Sequence, residues 1–453
     1  MLGEVGPFSP PADGVGASIG EALAWLDRHI NLEAIESGTA GRHGLPSLER
    51  ITALVEVMDD PQRAYPVVHV TGTNGKGSTA RMCAALLASA GLNPGVYTSP
   101  HLEVINERMS FTGSSITDSE LAVQLAVMAE LEVFVGLQAT WFEIVTATAF
   151  RWFADEAADS AVVEVGLGGR YDATNVADGV VAVVTNVELD HVDILGSTRE
   201  QIAAEKAGIV KTGSVVVLGE PEPALAHYFE DEASRVGAAA VWKRGEDFGV
   251  DGSRLAVGGR VLDLYTPFGR YEDVFVPLYG AHQGDNAACA LAAAQALVGS
   301  PLGPDVVADA FASVTVPGRL EIVGRRPLVV LDGAHNAAGA AAAGAALADD
   351  FYGRRVVVVM GCLRGRDPAE LLRGLGTEQI SAVLGCTPAS PRAQPGSAVA
   401  SAAVGLGLVA EDCGGVADAV QRALQLAGED DLVLVTGSLY VVGTARTVLR
   451  RPS

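Results

Sequence analysis

The sequence predicts an α/β protein of two units, each built on a largely parallel sheet, with a small antiparallel sheet beside the first. Three observations carry this. Short β-branched runs alternate with Ala- and Leu-rich amphipathic stretches, the grammar of parallel strands joined by crossover helices. The stretch from about 212 to 280 breaks that grammar with short, turn-bounded runs: VVVLGEP, AAVWKRG, RLAVGG and RVLDLYTPFG. Near Val316 the alternation resets after a Pro-Gly punctuation.

Taken in order, residues 1–18 read as a leader rich in Gly, Pro and Ala. From Ile19 the apolar residues Ala22, Leu23, Leu26 and Ile30 follow helical spacing. Pro66 to Val70 reads as a strand that runs into Thr71-Gly72-Thr73-Asn74-Gly75-Lys76-Gly77-Ser78-Thr79, then a helix closed by Gly91. Ala161 to Val165 leads into GLGGR, and Val180 to Val184 leads into TNVELDH. Helical composition returns with GDNAACALAAAQALVG. Beyond residue 316, LVVLDGAHN, VVVVMGC, SAVLGC and LVLVTGS repeat the strand-then-turn pattern. The expected division is a leader 1–18, a first domain 19–315 and a second α/β domain 316–453, of ordinary domain size.

Composition removes several classes of function. The 453 residues carry 31 Lys plus Arg against 55 Asp plus Glu, a net charge of −24, which excludes a nucleic-acid binder working through a basic face. With 49% hydrophobic and 19% charged residues the chain is globular, not disordered. No clean apolar span of about 20 residues and no signal-peptide pattern is visible. Cys83, Cys289, Cys362, Cys386 and Cys413 form no C-x-x-C pair and no zinc spacing, so they read as reduced thiols. The expectation is a cytoplasmic protein without nucleic-acid or membrane partners.

The run 71–79 stands between a strand and a helix, where glycines let backbone N–H groups turn toward phosphate oxygens. Lys76 adds a point charge and the helix N-terminus a partial positive charge. The strict G-x-x-x-x-G-K-[ST] pattern is not met: Val70 occupies the first glycine's place, and Gly77 follows the lysine. Glu164 interrupts the apolar strand AVVEVG, so its carboxylate is either a satisfied strand-end acid or a metal ligand. Read alone, His191 is a cap or core histidine and Lys206 a solvated helix lysine. Arg319 is a surface arginine after a turn or a cation at the inter-domain hinge. Asp332 ends a strand, where open α/β sheets place ligands, and His335 in the same loop is a site residue or a loop cap. Trp141 and Phe142 offer flat apolar faces for a ring, or core.

TGTNGKGST, YTSPHL (97–102), NERMS (106–110), TWFE (140–143), VEVGLGGRYDATN (163–175), ELDHVDILG (188–196), EKAGI (205–209), PGR (317–319) and DGAHN (332–336) form an ordered series. From about residue 20 to 440 that series resembles the folylpolyglutamate synthase and dihydrofolate synthase family of the Mur ligase superfamily. The resemblance implies a P-loop Mur-ligase-type central domain with a parallel sheet and a small antiparallel sheet, then a Rossmann-like C-terminal domain. It implies a ligase that uses ATP to phosphorylate a carboxylate and then joins L-glutamate to the acyl phosphate. Thr73, Asn74, Gly75, Lys76, Gly77, Ser78, Asn286, Arg319 and Asp332 match ATP contacts, with Lys76, Arg319 and His335 in catalytic roles. Ser99, Glu164, His191 and a carbamylated Lys206 match ligands of one or two Mg²⁺ ions. Tyr171, Asp172 and Ala173 match dihydropteroate-associated positions of bifunctional bacterial members, with Trp141 and Phe142 as candidate pterin contacts. The implied partners are ATP, L-glutamate and a reduced folate or dihydropteroate, and the implied state is a monomer.

One segment departs from the pattern. Where such members have a stretch like D-x-G-L-E-R, this chain reads His43-Gly44-Leu45-Pro46-Ser47-Leu48-Glu49-Arg50, which keeps Leu-Glu-Arg and loses the acidic position. Two alternatives stand beside this reading. One is another Mur-type amide ligase for a different carboxylate; a cell-wall member usually carries an added UDP-binding domain before the loop. The other is a non-catalytic nucleotide-binding member of the fold.

Overall fold

The computed structural model describes residues 18–31, 33 and 47–450; nearly all of the leader, and His43 to Pro46 of the departing segment, lie outside the described residues. Strands are numbered in chain order. The first sheet contains β1 (Val67–Thr71), β2 (Pro94–Tyr97), β3 (Met109–Phe111), β4 (Ser114–Ser115), β5 (Ser160–Glu164), β6 (Gly179–Val184), β7 (Val215–Leu218) and β8 (Ala240–Lys243). Their order is β4-β3-β2-β5-β1-β6-β7-β8. The strands from β2 to β8 are parallel, and β3 and β4 add an antiparallel edge. Every residue of β1 is buried, as an apolar strand covered on both faces must be. From β1 the chain runs to β2 and β5 on one side and returns to β6 on the other. The turns after β1, β5 and β6 therefore diverge and leave a crevice at the carboxyl ends of the strands.

Two of the runs expected in the small sheet belong to the large one. VVVL and AVWK are β7 and β8, paired in parallel. The helix Pro223–Val236 between them gives the crossover that parallel pairing needs, which a tight turn could not. The small antiparallel sheet is β9 (Gly249–Ala256), β10 (Gly259–Thr266) and β11 (Gly269–Val276), in the order β11-β10-β9. The second large sheet holds β12 (Glu321–Arg325), β13 (Leu328–Leu331), β14 (Val356–Met360), β15 (Ile380–Thr387), β16 (Ala410–Gly415) and β17 (Leu432–Thr436). Its order is β12-β13-β17-β14-β15-β16, parallel except for β12 against β13.

Helix Ile19–Leu26 starts at a capping box of Ser18 and Glu21 and is shorter than its apolar pattern, because the chain turns after Leu26 and His29 pairs with Glu132 at 2.9 Å. Helix Lys76–Ser89 begins inside the glycine-rich run and ends before Gly91, whose φ of +92° suits glycine. It packs on helix His282–Val298, where Ala287, Ala288, Cys289, Ala290 and Leu291 are all buried. Small alanines let the two axes approach, and each buried leucine contributes about 2 kcal/mol. All five cysteines are free thiols. Among the described residues no helix is long and apolar enough to cross a membrane.

Beneath the crevice, His69 of β1 is fully buried; its Nε2 bonds the Thr174 hydroxyl at 2.8 Å, and its Nδ1 has no partner. Burial, reinforced by the nearby Lys211 charge, pushes the imidazole from 6.5 down to about 3. The unfolded chain binds a proton there that the folded chain refuses, so this group takes away stability as pH falls from about 6.5 towards 3. In His69→Leu the loss of unfolding free energy over that window should be smaller than in the parent, as read from urea titrations at stepped pH. Equal pH slopes would contradict it.

Candidate active site

The crevice is a cleft of about 590 Å³ walled by the turns of the eight-stranded unit and roofed by the loop after β13. At its floor lies the turn after β1. Gly72 and Gly75 adopt φ of +150° and +84°, and a Cβ would overlap the Thr185 hydroxyl at the first and the Asn286 amide at the second. The turn is pinned to the segment after β6. Thr185 Oγ1 donates to Asn74 O at 2.6 Å, Asn74 N donates to Asn186 Oδ1 at 3.0 Å, and Glu188 N donates to Thr73 Oγ1 at 2.9 Å. Gly75 is the N-cap of the helix that follows, so the helix's first free N–H groups and its partial positive charge face the cleft.

Two lysines converge on one carbonyl there. Lys76 Nζ donates to Gly72 O at 3.1 Å, and Lys206 Nζ, from the end of helix Arg199–Lys206, donates to the same oxygen at 2.7 Å. Burial, with Lys76 beside it, brings the Lys206 ammonium down to about 7. Opposite them Glu164, at the carboxyl end of β5, is buried and accepts the Ser99 N–H at 3.0 Å. Its carboxyl is held above the usual range, because burial outweighs the attraction of Lys76. A Cβ on Gly77 would come within 3.2 Å of its Oε2, so glycine there keeps the carboxylate beside the helix start.

Ser99, Glu164, His191 and Lys206 all line this cleft. His191 adopts φ of +49°, left-handed backbone that a residue with a Cβ holds at a cost, and its imidazole is pushed down to about 4, chiefly by burial. Glu164 has no ion-pair partner among the described residues, so its carboxylate is open to a hard divalent cation, although these residues bring no three His, Cys, Asp or Glu side chains together as a ready-made metal cluster. The nine residues matched to ATP contacts also line the cleft, as does His335. Asn286 is held by Gln283 at 3.0 Å. Both Asp332 oxygens accept backbone N–H groups, from Leu320 at 3.0 Å and Ala334 at 2.9 Å, which ties the segment beside Arg319 to the loop after β13. His335 Nδ1 bonds Gly333 O at 2.8 Å.

The residues matched to the pterin substrate do not line it. Trp141 begins helix Trp141–Asp155 and is buried under the Arg108 guanidinium, 4.7 Å from the ring centre. Arg108 in turn donates to Glu33 at 2.6 and 3.0 Å and to His101 Nδ1 at 2.9 Å. Phe142 packs against Gly166. Tyr171 is exposed, whereas Asp172 is buried and accepts from Leu167 N, Thr174 N and the Thr174 hydroxyl, and Ala173 is buried beside it. Of the retained Leu48-Glu49-Arg50, Arg50 pairs with Glu143 at 2.9 Å and so ties helix Glu49–Glu56 to the Trp141 helix.

Three groups that the sequence did not single out complete the site. Asp190 is buried and bonded by Arg366 at 2.6 Å and Asn336 at 2.9 Å, and Asn336 also reaches Asn74 Oδ1 at 3.1 Å. Asp190 and Asn336 lie within quoted motifs, ELDH and DGAHN, so adjacency was the available signal. Arg366 carried none.

Residues 70–294 match the Mur ligase middle domain, and residues 318–439 match the Mur ligase glutamate ligase domain. The chain is thus an ATP-dependent ligase of the Mur type. It is 39% identical over 446 residues to the dihydrofolate synthase/folylpolyglutamate synthase of Mycobacterium tuberculosis, covering 90% of each chain. A crystal structure of that organism's folylpolyglutamate synthase complexed with ADP and AMPPCP superimposes with a TM-score of 0.86 at 36% identity, over 96% of this chain and 98% of the other. An Escherichia coli structure in complex with DHPP and ADP gives 0.83 at 32%, over 96% and 98%. A bifunctional folylpolyglutamate synthase/dihydrofolate synthase with Mn, AMPPNP and L-glutamate bound gives 0.81 at 30%, also over 96% and 98%. The chain belongs to the folylpolyglutamate synthase/dihydrofolate synthase family.

Glu164→Gln removes a buried charge and keeps an acceptor for Ser99 N–H. Without nucleotide or metal it should melt no lower than the parent at neutral pH by calorimetry, yet lose ligation. Near-parental turnover would remove Glu164 from the machinery.

Proposed function

We propose that this cleft joins L-glutamate to the carboxylate of both a pteroate and a reduced folate, with ATP as the source of activation. The observation that carries the reading is the meeting of the Lys76 cradle, the buried Glu164 and the Asp332–Asn336 loop of the other sheet unit in one cleft. ATP loses its γ-phosphoryl group to the acceptor carboxylate, forming an acyl phosphate and ADP. The glutamate amine then attacks the acyl carbon, phosphate leaves, and the amine's proton is lost to give the amide.

In this reading the N–H groups at the start of the helix after Gly75 hold the phosphates. Lys76 and Arg319 oppose the charge that develops on the transferring group, a preorganised electrostatic term. Ser99, Glu164 and His191 would hold Mg²⁺, and Lys206 a second ion once carbamylated; bound there, the ions neutralise phosphate charge. His335 orients the acyl phosphate or the incoming glutamate. Domain 19–315 activates the acid, domain 316–453 brings the amine, and their closure excludes water from the acyl phosphate. Trp141, Phe142 and Tyr171 to Ala173 would act from behind the cleft wall, shaping the entrance for the pterin. The protein works as a monomer in the cytoplasm.

ADP release with MgATP and L-glutamate should occur with dihydropteroate and with tetrahydrofolate. Release with tetrahydrofolate alone would confine the enzyme to extending folate chains, and silence with both would point to another carboxylate. Lys76→Ala should abolish release with either acid. For Lys206, an amine near pKa 7 is largely free to add carbon dioxide at pH 8. Labelled bicarbonate should give a carbamate carbon resonance that Lys206→Met lacks; an unchanged spectrum would reject the modification.

A further inference from the structure

Among the described residues, ion pairs join the two sheet units at Arg260–Asp350, at Glu103 with Arg446 and Arg450, and at Asp190 with Arg366 and His335. Of these eight side chains only Asp190 and His335 line the cleft. The Asp190 carboxylate takes the Arg366 guanidinium at 2.6 Å on Oδ1 and the Asn336 amide at 2.9 Å on Oδ2, with His335 Nε2 at 3.7 Å. All three partners come from the second unit. On its own side Asp190 accepts the His191 N–H at 2.7 Å, and its segment is pinned to Thr73 and Asn74 of the phosphate turn.

We propose that Asp190 and Arg366 form the latch that holds the two sheet units closed over the bound nucleotide, and that Asn336 passes the closed state to the phosphate turn through Asn74. Arg366 is then a positioning residue. It does not line the cleft, its guanidinium is spent on Asp190, and its loop is clamped from behind by Gln394, whose amide donates to Arg366 O at 2.8 Å. Asn336 is equally committed: it caps helix Ala337–Asp349 through Gly339 N at 2.8 Å while its amide spans Asn74 and Asp190. A pair of this kind, its carboxylate buried and its guanidinium half-buried, can be either made or broken. Broken, it leaves a carboxylate facing the cleft without its cation; made, it sets the second unit's loop on the first unit's phosphate turn. The Glu103–Arg446 contact, joined by Arg446 to Glu321 at 3.0 Å, lies away from the cleft.

The test uses the full chain and two readouts, one independent of turnover, so that it stands apart from the substrate assignment above. Small-angle scattering with a non-hydrolysable ATP analogue and Mg²⁺ should show the parent compact and Arg366→Met expanded. Nucleotide affinity should stay within about threefold, because the phosphate cradle belongs to the first unit. In steady state Arg366→Met should lose about 100-fold in kcat, the size of effect expected when reacting groups are misplaced by an ångström, with KM for ATP little changed. Arg366→Lys, which keeps the charge and guards against misfolding, should recover part of both signals. Asp190→Asn combined with Arg366→Met should be no worse than the poorer single variant. Multiplying losses, or an Arg366→Met protein as compact as the parent whose only defect is a raised KM for glutamate, would overturn the latch and make Arg366 a ligand contact.

Discussion

The site is organised around a single backbone oxygen. Gly72 O accepts both Lys76 and Lys206, and two ammonium groups drawn to one point in a buried place repel each other. That repulsion, on top of burial, is why Lys206 sits near neutrality, and it fixes what the rest of the cleft must supply. Glu164 and Asp190 provide negative charge on either side. Each is kept by a different device: Glu164, against its burial, by nearby Lys76 and one backbone N–H, Asp190 by a guanidinium and an amide from across the cleft.

Strain and reinforcement alternate around this centre. His191 and Leu320 both hold left-handed backbone, at the turn after β6 and at the hinge. Each is held by a carboxylate: Asp190 binds the His191 N–H and Asp332 binds the Leu320 N–H. The Asp332 carboxylate thereby fixes where Arg319 sits relative to the phosphate turn. A group placed at a strand end to face a ligand also anchors the backbone turn beside it.

What the sequence made legible was local. The phosphate turn, its helix and Gly91 are consecutive residues whose chemistry needs no partner elsewhere, and Glu164 showed itself as a charge in an apolar strand. The strands β7 and β8 were misplaced because a short apolar run looks the same in either sheet. The deciding fact is the helix between them, which allows parallel pairing. Arg366 was invisible for a related reason: its meaning comes from Asp190, far away in sequence and on the other sheet unit. Trp141 shows the opposite limit. Its flat apolar face was readable, but which way its ring faced depended on Arg108, Glu33 and His101 folding over it.

The shared acceptor at Gly72 has an evolutionary consequence. It is a main-chain atom, so no codon specifies it and no single substitution deletes it. Drift can reach it only by moving the turn, which the close approach of Thr185 resists by leaving no room for a side chain at Gly72. The electrostatic centre of this enzyme is therefore carried by the path of the chain, while the groups that answer it are side chains that a single substitution can remove.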